Sequence, residues 1–159
     1  MKLVESKQCI TRAKAIFEEW KTIIETEIPS SCVEHIGSTA IYGALTKGDI
    51  DLYVEVPEDL HAKSVSAIET IGFTIKLDTH RDSHLCMLEH KNIEGLAVQV
   101  VARDSKYRFF LDFRDALNCN EHLVEKYNAL KTSCIGSTPE QYREKKSQFI
   151  RKVLGGLTG

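Results

Sequence analysis

The stretch that decides the fold lies at residues 35–56 and reads His-Ile-Gly-Ser-Thr-Ala-Ile-Tyr-Gly-Ala-Leu-Thr-Lys-Gly-Asp-Ile-Asp-Leu-Tyr-Val-Glu-Val. In its last seven residues, 50–56, apolar and polar side chains largely alternate and strand-forming residues are frequent, so this segment predicts a β-strand. Residues 32–36 predict a short strand before it, and Gly37 and Ser38 mark the place where that strand ends. The stretch therefore predicts two strands joined by a segment that carries a glycine, a hydroxyl group and two acids.

Asp49 and Asp51 stand at the opening of the second of these strands. Side chains two residues apart on a strand point to the same side, about 6.5 Å apart along the chain. Two carboxylates in this position repel each other unless a cation or solvent screens them. Mg²⁺ prefers oxygen ligands and is commonly shared with substrate phosphates. Taken alone, the pair predicts either a Mg²⁺ site or a solvated strand end with two surface acids.

Gly37, Ser38 and Lys47 supply the groups that a phosphate requires. Where a strand ends at a glycine, backbone N–H groups can approach phosphate oxygens, and a serine hydroxyl adds a donor. Lys47 lies two residues before Asp49, within reach of a nucleotide phosphate. Each feature also has a simpler explanation, namely a turn before an N-capped helix and a solvated lysine. The combination of Gly-Ser with the later acid pair favours the phosphate and metal site.

The flanking sequence predicts helices on both sides of a group of strands. Helices are predicted at 8–28, at 57–71 and from 107 onward, with the last helix starting at Thr138-Pro139-Glu140-Gln141; strands are predicted at 73–77, 84–90 and 95–102, the last two joined by a hairpin turn. This arrangement predicts an α+β fold with one mixed sheet, flanking helices and a helical C-terminal half. A length of 159 residues fits a single domain over 1–159.

Composition gives no indication of a general nucleic-acid binder, a membrane-spanning protein or a disulfide-bonded protein. The formal net charge is −2, which gives no general attraction to nucleic acid or to acidic membranes. The five cysteines are scattered and form no C-x-x-C pair, so we expect no disulfides and a reducing compartment. No stretch approaches the ~20 apolar residues that span a bilayer. The sequence thus predicts a cytoplasmic protein without a membrane partner.

Cationic residues in the second half of the chain have two explanations each. Arg114 lies among aromatic residues at a predicted helix start, where it fits either a bidentate phosphate contact or an ion pair that locks the helix to the sheet. The basic C-terminal helices fit either a solvated face or a rim that attracts a triphosphate or an RNA end. Their basic residues are Lys131, Arg143, Lys145, Lys146, Arg151 and Lys152.

Two resemblances follow from these motifs. A strand, Gly-Ser, a gap of ten residues and then Asp-x-Asp on the next strand resembles the signature of the DNA polymerase β-like nucleotidyltransferase superfamily. A narrower resemblance, to the GrpB family, covers almost the whole chain. It is carried by Phe17-Glu18-Glu19-Trp20, His35-Ile36-Gly37-Ser38-Thr39-Ala40 with Gly43 and Lys47, Phe113-Arg114-Asp115, Tyr127-Asn128-Ala129-Leu130-Lys131, and Tyr142 with Lys145 and Phe149.

The resemblance implies a nucleotidyltransferase fold and a Mg²⁺-dependent protein that binds a nucleoside triphosphate such as ATP. It also implies possible transfer of a nucleotidyl group to a hydroxyl acceptor whose identity the sequence does not indicate. The alternative is a non-catalytic nucleotide-binding or protein-interaction module of the same fold. Under the first hypothesis Asp49 and Asp51 are the catalytic residues and metal ligands, and Gly37, Ser38, Lys47 and Arg114 bind the nucleotide.

Two departures from the family pattern bear on catalysis. Tyr42 stands where relatives usually have proline, and Lys47-Gly48-Asp49-Ile50-Asp51 carries paired acids that many relatives lack. Active nucleotidyltransferases also have a third carboxylate on a neighbouring strand, and Gln99 occupies the best-matching position here. Glutamine can orient a water molecule, but it neither neutralises a cation nor accepts a proton. The sequence therefore predicts feeble turnover unless another acid, such as Glu89, substitutes.

Overall fold

A mixed sheet of five strands organises the computed structural model, which describes residues 2–158. The strands are β1 (Val4–Glu5), β2 (Cys32–Ile36), β3 (Leu45–Thr46), β4 (Ile50–Val56), β5 (Phe73–Ile75), β6 (Leu85–His90) and β7 (Leu96–Ala102). The helices are α1 (Ile10–Glu27), α2 (His61–Thr70), α3 (Phe109–Asn118), α4 (Glu121–Ser133) and α5 (Pro139–Thr158). Short 3₁₀ turns lie at Ser6–Gln8, Ser38–Ala40, Glu58–Leu60 and Lys106–Arg108.

The main sheet has the strand order β2-β4-β7-β6-β5. The central strands β4 and β7 run parallel, and the other neighbouring pairs are antiparallel. In the β4–β7 register, Asp51 lies opposite Ala97, and Tyr53 lies opposite Gln99. The predicted α+β fold with a mixed sheet and a helical C-terminal half is confirmed. The small antiparallel pair of β1 with β3 was not predicted.

The side chains of strand β4 point alternately to the two faces of the sheet. Its apolar residues Ile50, Leu52, Val54 and Val56 are fully buried in a core that also contains Trp20 and Ile24 of α1 and Val65 and Ile68 of α2. The opposite side carries Asp51, Tyr53 and Glu55. Helix α3 covers the Tyr53 end of that side, where Leu111 joins Tyr53 in a second core. The Asp51 end is left for the candidate site.

A third core holds the helical half to the segment between β2 and β4. Phe113 of α3, Tyr127 of α4 and Val153 of α5 pack together, and Ile41 and Ala44 of that segment are buried among them. Because Ile41 and Ala44 lie within a few residues of Ser38, this packing places the C-terminal helices beside the glycine–serine turn.

Two asparagines fasten the same segment by hydrogen bonds. Asn118 accepts from the Tyr42 N–H at 2.9 Å and donates to the Ala40 carbonyl at 3.1 Å. Asn128 accepts from the Leu45 N–H at 2.7 Å and donates to the Gly43 carbonyl at 3.0 Å. The segment is therefore held at both ends by the side chains of α3 and α4, which satisfy backbone groups that a loop otherwise leaves to water.

Local predictions agree with the structure except at one helix start. The hairpin of β6 with β7 and the helical region from 107 onward are confirmed, and this region consists of the three helices α3, α4 and α5. The capping box at Thr138 is also confirmed, because the Gln141 N–H donates to Thr138 Oγ1 at 3.1 Å and Gln141 Oε1 accepts from the Thr138 N–H at 3.0 Å. The prediction of a helix from Pro57 was wrong in detail. Pro57 is extended, with ψ of 143°, and a 3₁₀ turn comes before α2.

Within residues 2–158, no helix is long and apolar enough to cross a membrane. None of the five cysteines, all of which lie in this range, forms a disulfide.

Candidate functional site

Gly37 and Asp51 meet where β2 turns away from the sheet. Gly37 has φ of +78°, a conformation that favours glycine. A Cβ atom on Gly37 would overlap the Asp51 carboxylate oxygen Oδ2. The missing side chain therefore serves two purposes, since it permits the turn and leaves room for the carboxylate beneath it.

The Asp51 carboxylate lies half-buried, and none of the side chains that the structure describes donates a hydrogen bond to it. Burial and, to a smaller extent, the neighbouring charge of Asp49 raise the pKa of Asp51 to about 6, although Lys146, Lys47 and Lys131 oppose this rise. A carboxylate whose ionisation is unfavourable, and which accepts no hydrogen bond from the described side chains, is well suited to bind a cation.

Asp49 lies at the mouth of the site, beside Lys47 and Gly95. Lys47 Nζ forms an ion pair with Asp49 Oδ2 at 3.2 Å. A Cβ atom on Gly95 would lie only 3.1 Å from Asp49 Oδ1, so this carboxylate is packed closely against the turn before β7. The structure therefore brings together five of the predicted site residues: Gly37, Ser38, Lys47, Asp49 and Asp51.

Lys131 reaches this site from α4, although 93 residues separate it from Ser38. Its side chain is buried, and Nζ donates to Ser38 Oγ and to the Leu45 carbonyl. The ammonium group also lies 4.2 Å from the centre of the Tyr127 ring, in a cation–π contact. The pKa of Lys131 is lowered, chiefly by burial, and the opposing effects of Tyr127 and Asp51 are too small to reverse this.

Lys146 of α5 brings a second half-buried ammonium group to the same place. The phenol oxygen of Tyr127, followed by Tyr142 and Asp51, raises the pKa of Lys146 above its usual value and outweighs the effect of burial. Burial alone would raise the pKa of Tyr127, but Lys146 and Lys131 outweigh it and lower this pKa, helped by hydrogen bonds with Ser38 and Tyr142. The site thus has acids on the sheet side and lysines on the helix side.

Arg114 is engaged with the edge of the sheet. It donates to the His35 carbonyl at 3.0 Å and forms ion pairs with Glu34 at 3.4 Å and Asp115 at 2.9 Å. Among its contacts with described residues, none is with Gly37, Ser38 or the two aspartates. These contacts match the ion pair that locks the helix to the sheet, while a role for Arg114 in nucleotide binding stays a prediction.

Gln99 lies on the same side of the sheet as the two acids, because it is opposite Tyr53 on the parallel neighbour strand. Ala97, one step closer, is directly opposite Asp51. Glu89 of β6 lies opposite Ala97, two strands from Asp51, and forms an ion pair with Lys76 at 2.7 Å. Within the described part of the chain, no cluster of three His, Cys, Asp or Glu residues is arranged to hold a metal.

A family model described as GrpB protein matches residues 5–155 of the chain. This chain belongs to the GrpB family. It is 44% identical over 140 residues to a UPF0157 protein of Vibrio cholerae, a match that covers 88% of this chain and 74% of the relative. It is 25% identical over 156 residues to the glutamate-rich protein GrpB of Alkalihalophilus pseudofirmus, covering 91% and 90% of the two chains.

Solved structures relate the fold to nucleotidyltransferases. GrpB of Enterococcus faecalis superposes with a TM-score of 0.75 at 20% identity, over 99% of this chain and 100% of that one. The Cid1 poly(U) polymerase bound to the UTP analogue UMPNPP superposes with a TM-score of 0.53 at 14% identity, over 80% of this chain and 40% of that one. The predicted nucleotidyltransferase-like fold is therefore confirmed.

Lys131 and Lys146 are the residues of the site that the sequence did not single out. Lys131 and Lys146 were visible only as members of a basic C-terminal run, which is usually a solvated face. A better signal was the position of Lys131 four residues after Tyr127, on an otherwise apolar helix face. A lysine on the buried face of a helix needs a partner, and here the partners are Ser38 and the Leu45 carbonyl.

Proposed function

We propose that this GrpB protein binds a nucleoside triphosphate together with Mg²⁺ at the Gly37-Ser38 turn. The observation that carries the proposal is the meeting of acids and lysines around Ser38. Asp49 and Asp51 provide negative charge, and Lys131 and Lys146 provide positive charge, within one site. A magnesium–triphosphate complex has the complementary pair of charges, because its metal suits the carboxylates and its phosphates suit the ammonium groups.

The donor set of the acid side fits Mg²⁺. Asp49 and Asp51 would hold the ion, since both present oxygen ligands from neighbouring positions and Asp51 accepts no hydrogen bond from the described side chains. When bound, the ion neutralises charge on the phosphates. The protein's own contribution is to hold the carboxylates under Gly37 and to place the lysines and Ser38 where the phosphates would lie.

Titration with Mg²⁺ and ATP tests this proposal, and Lys146→Met is the first variant to measure. We expect the parent to bind ATP only when Mg²⁺ is present, and Lys146→Met to weaken binding about tenfold or more, the value of one charge-assisted hydrogen bond. Lys145→Met, which removes an exposed lysine from the adjacent position of α5, is the matched control and should bind like the parent. Equal losses in both variants would mean that only general charge attracts the nucleotide.

Transfer of the nucleotidyl group to a hydroxyl acceptor is the further step of the proposed activity. The lack of a third acidic group near Asp49 and Asp51 among the described residues favours slow transfer, and it keeps nucleotide binding without catalysis as the second candidate function. Positioning and charge neutralisation carry most of the rate in phosphoryl transfer, so a missing ligand charge weakens both.

Replacement of Gln99 by aspartate separates these two functions. If Gln99 stands at the third-carboxylate position, Gln99→Asp should raise Mg²⁺-dependent hydrolysis of ATP to AMP and pyrophosphate, with water as acceptor, by ~10²-fold or more. Gln99→Asn is the control: asparagine has the length of aspartate without its charge, so this variant should leave the rate at the parent's level. A parent that already turns over rapidly, or a Gln99→Asp variant that matches Gln99→Asn, would contradict this role for Gln99.

A further inference from the structure

The Thr39 hydroxyl lies between the His35 ring and the backbone carbonyl of Asp49, and neither of these two groups is a proposed ligand. Thr39 is buried, with 2% of its surface exposed. Its Oγ1 atom is 2.9 Å from the Asp49 carbonyl oxygen and 2.9 Å from His35 Nε2. A carbonyl only accepts, so the single hydroxyl proton of Thr39 must go to Asp49. Thr39 Oγ1 must then accept a proton donated by His35, which places a hydrogen on Nε2.

His35 is held in this orientation from two sides. Its ring stacks on Phe17 of α1, with ring centres 5.2 Å apart and planes 17° apart. Its backbone carbonyl accepts from Arg114 of α3 at 3.0 Å. Burial and the nearby Arg114 charge lower the pKa of His35 to about 4, so the ring is neutral at physiological pH. The neutral imidazole that donates to Thr39 therefore carries its hydrogen on Nε2.

The peptide group between Asp49 and Ile50 is fixed at both of its polar atoms. Its carbonyl oxygen accepts from Thr39, and its N–H, which belongs to Ile50, donates to the Gly95 carbonyl at 2.8 Å. This peptide links the residue that carries the first carboxylate to the strand that carries the second. The hydroxyl of Thr39 therefore holds the backbone at Asp49, from which the Asp49 carboxylate projects beside Asp51.

We infer that His35 and Thr39 are positioning residues, which hold the Asp49 carboxylate beside that of Asp51 so that both can bind one divalent cation. The inference rests on the proposed function, because it concerns the same metal site. Neither residue would contact the metal or the nucleotide. Groups that orient metal ligands in this way typically change metal affinity 10–100-fold when they are removed.

Four variants and one direct observation test the inference, with Mn²⁺ alone as the probe. Thr39→Val keeps the side-chain shape and removes the hydroxyl, so we expect Mn²⁺ affinity to fall about 10–100-fold. Thr39→Ser restores the hydroxyl and should remain within about threefold of the parent. His35→Gln places an amide N–H where Nε2–H lies and should bind like the parent, whereas His35→Leu should behave like Thr39→Val. Thermal melting of each variant shows that it is folded.

Nitrogen-15 NMR of the His35 ring in the metal-free parent provides the independent observation. We expect the hydrogen on Nε2 at pH 7. A hydrogen on Nδ1, or a folded Thr39→Val variant with the parent's Mn²⁺ affinity, would overturn the inference while leaving nucleotide binding untouched. A parent that binds Mn²⁺ but not ATP would remove the proposed function alone, and the four variants would still decide the positioning role. A parent that binds neither would remove both.

Discussion

Asp51→Asn should weaken the binding of Mg²⁺ with ATP by about 100-fold or more, because loss of a partner that only orients a metal ligand already costs about 10–100-fold. The variant keeps the size of the side chain but removes the charge that a cation requires. Calorimetric titration of parent and variant with ATP, in the presence and absence of Mg²⁺, measures this loss. Asp112→Asn, on the exposed surface of α3, is the matched control and should bind like the parent.

The same variant should be more stable than the parent when no metal is present. The pKa of Asp51 is raised to about 6 in the folded protein from the usual 3.8, so ionisation of this carboxyl group opposes folding. That destabilisation is absent below the lower pKa, appears as pH rises between the two values and is complete above the higher one. With allowance for the partial exposure of Asp51, Asp51→Asn should be about 1–2 kcal/mol more stable at pH 8.

Binding and stability should therefore depend on pH in opposite directions. Mg²⁺ affinity of the parent should fall about tenfold per pH unit below about 6, because the cation competes with a proton for Asp51. The stability advantage of Asp51→Asn should disappear as pH approaches 3.8. Denaturation curves at pH 4, 6 and 8 check the second statement. A variant less stable than the parent at pH 8 would show that Asp51 is a structural anion paired with the lysines.

The sheet side of the site was predictable from sequence because its signals are local. Gly37 and Ser38 follow one strand, Asp49 comes directly before the next and Asp51 is its second residue, so the short spacing along the chain keeps the two acids close together. The hairpin before β7 similarly follows from its turn residues. Each of these predictions depends on residues that are close in the chain, where backbone geometry limits the choices.

The helix side was not predictable in the same way. Lys131 meets Ser38 only because the core around Tyr127 packs α4 against the segment that follows the glycine–serine turn. The position of Gln99 raised a related difficulty, since the registry of two parallel strands decides whether Ala97 or Gln99 is opposite Asp51. Long-range packing and strand registry are properties of the whole fold, and a single sequence carries little direct information about either.

Gly37→Ala is expected to have the second-largest effect, because it adds the one atom for which the site has no room. The new Cβ would overlap the Asp51 carboxylate, which must move, and the two acids could then no longer share a cation. Titration should show a loss of Mg²⁺–ATP binding of about 100-fold, comparable with removal of the ligand itself. The variant should also lose stability, both from the positive φ and from the overlap, by about 2–4 kcal/mol in total.

Gly48→Ala separates the two causes. Gly48 lies in the same segment and has φ of +94°, but a Cβ atom on it would meet nothing within 4 Å. It should therefore cost only the backbone term, about 1–2 kcal/mol, and retain most of the binding. Both variants place an alanine at positive φ, but only Gly37→Ala also brings a Cβ atom against Asp51, so a loss of binding confined to Gly37→Ala points to that contact. If both lose binding equally, flexibility of the segment matters more than the space above Asp51, and Gly37 is a turn glycine.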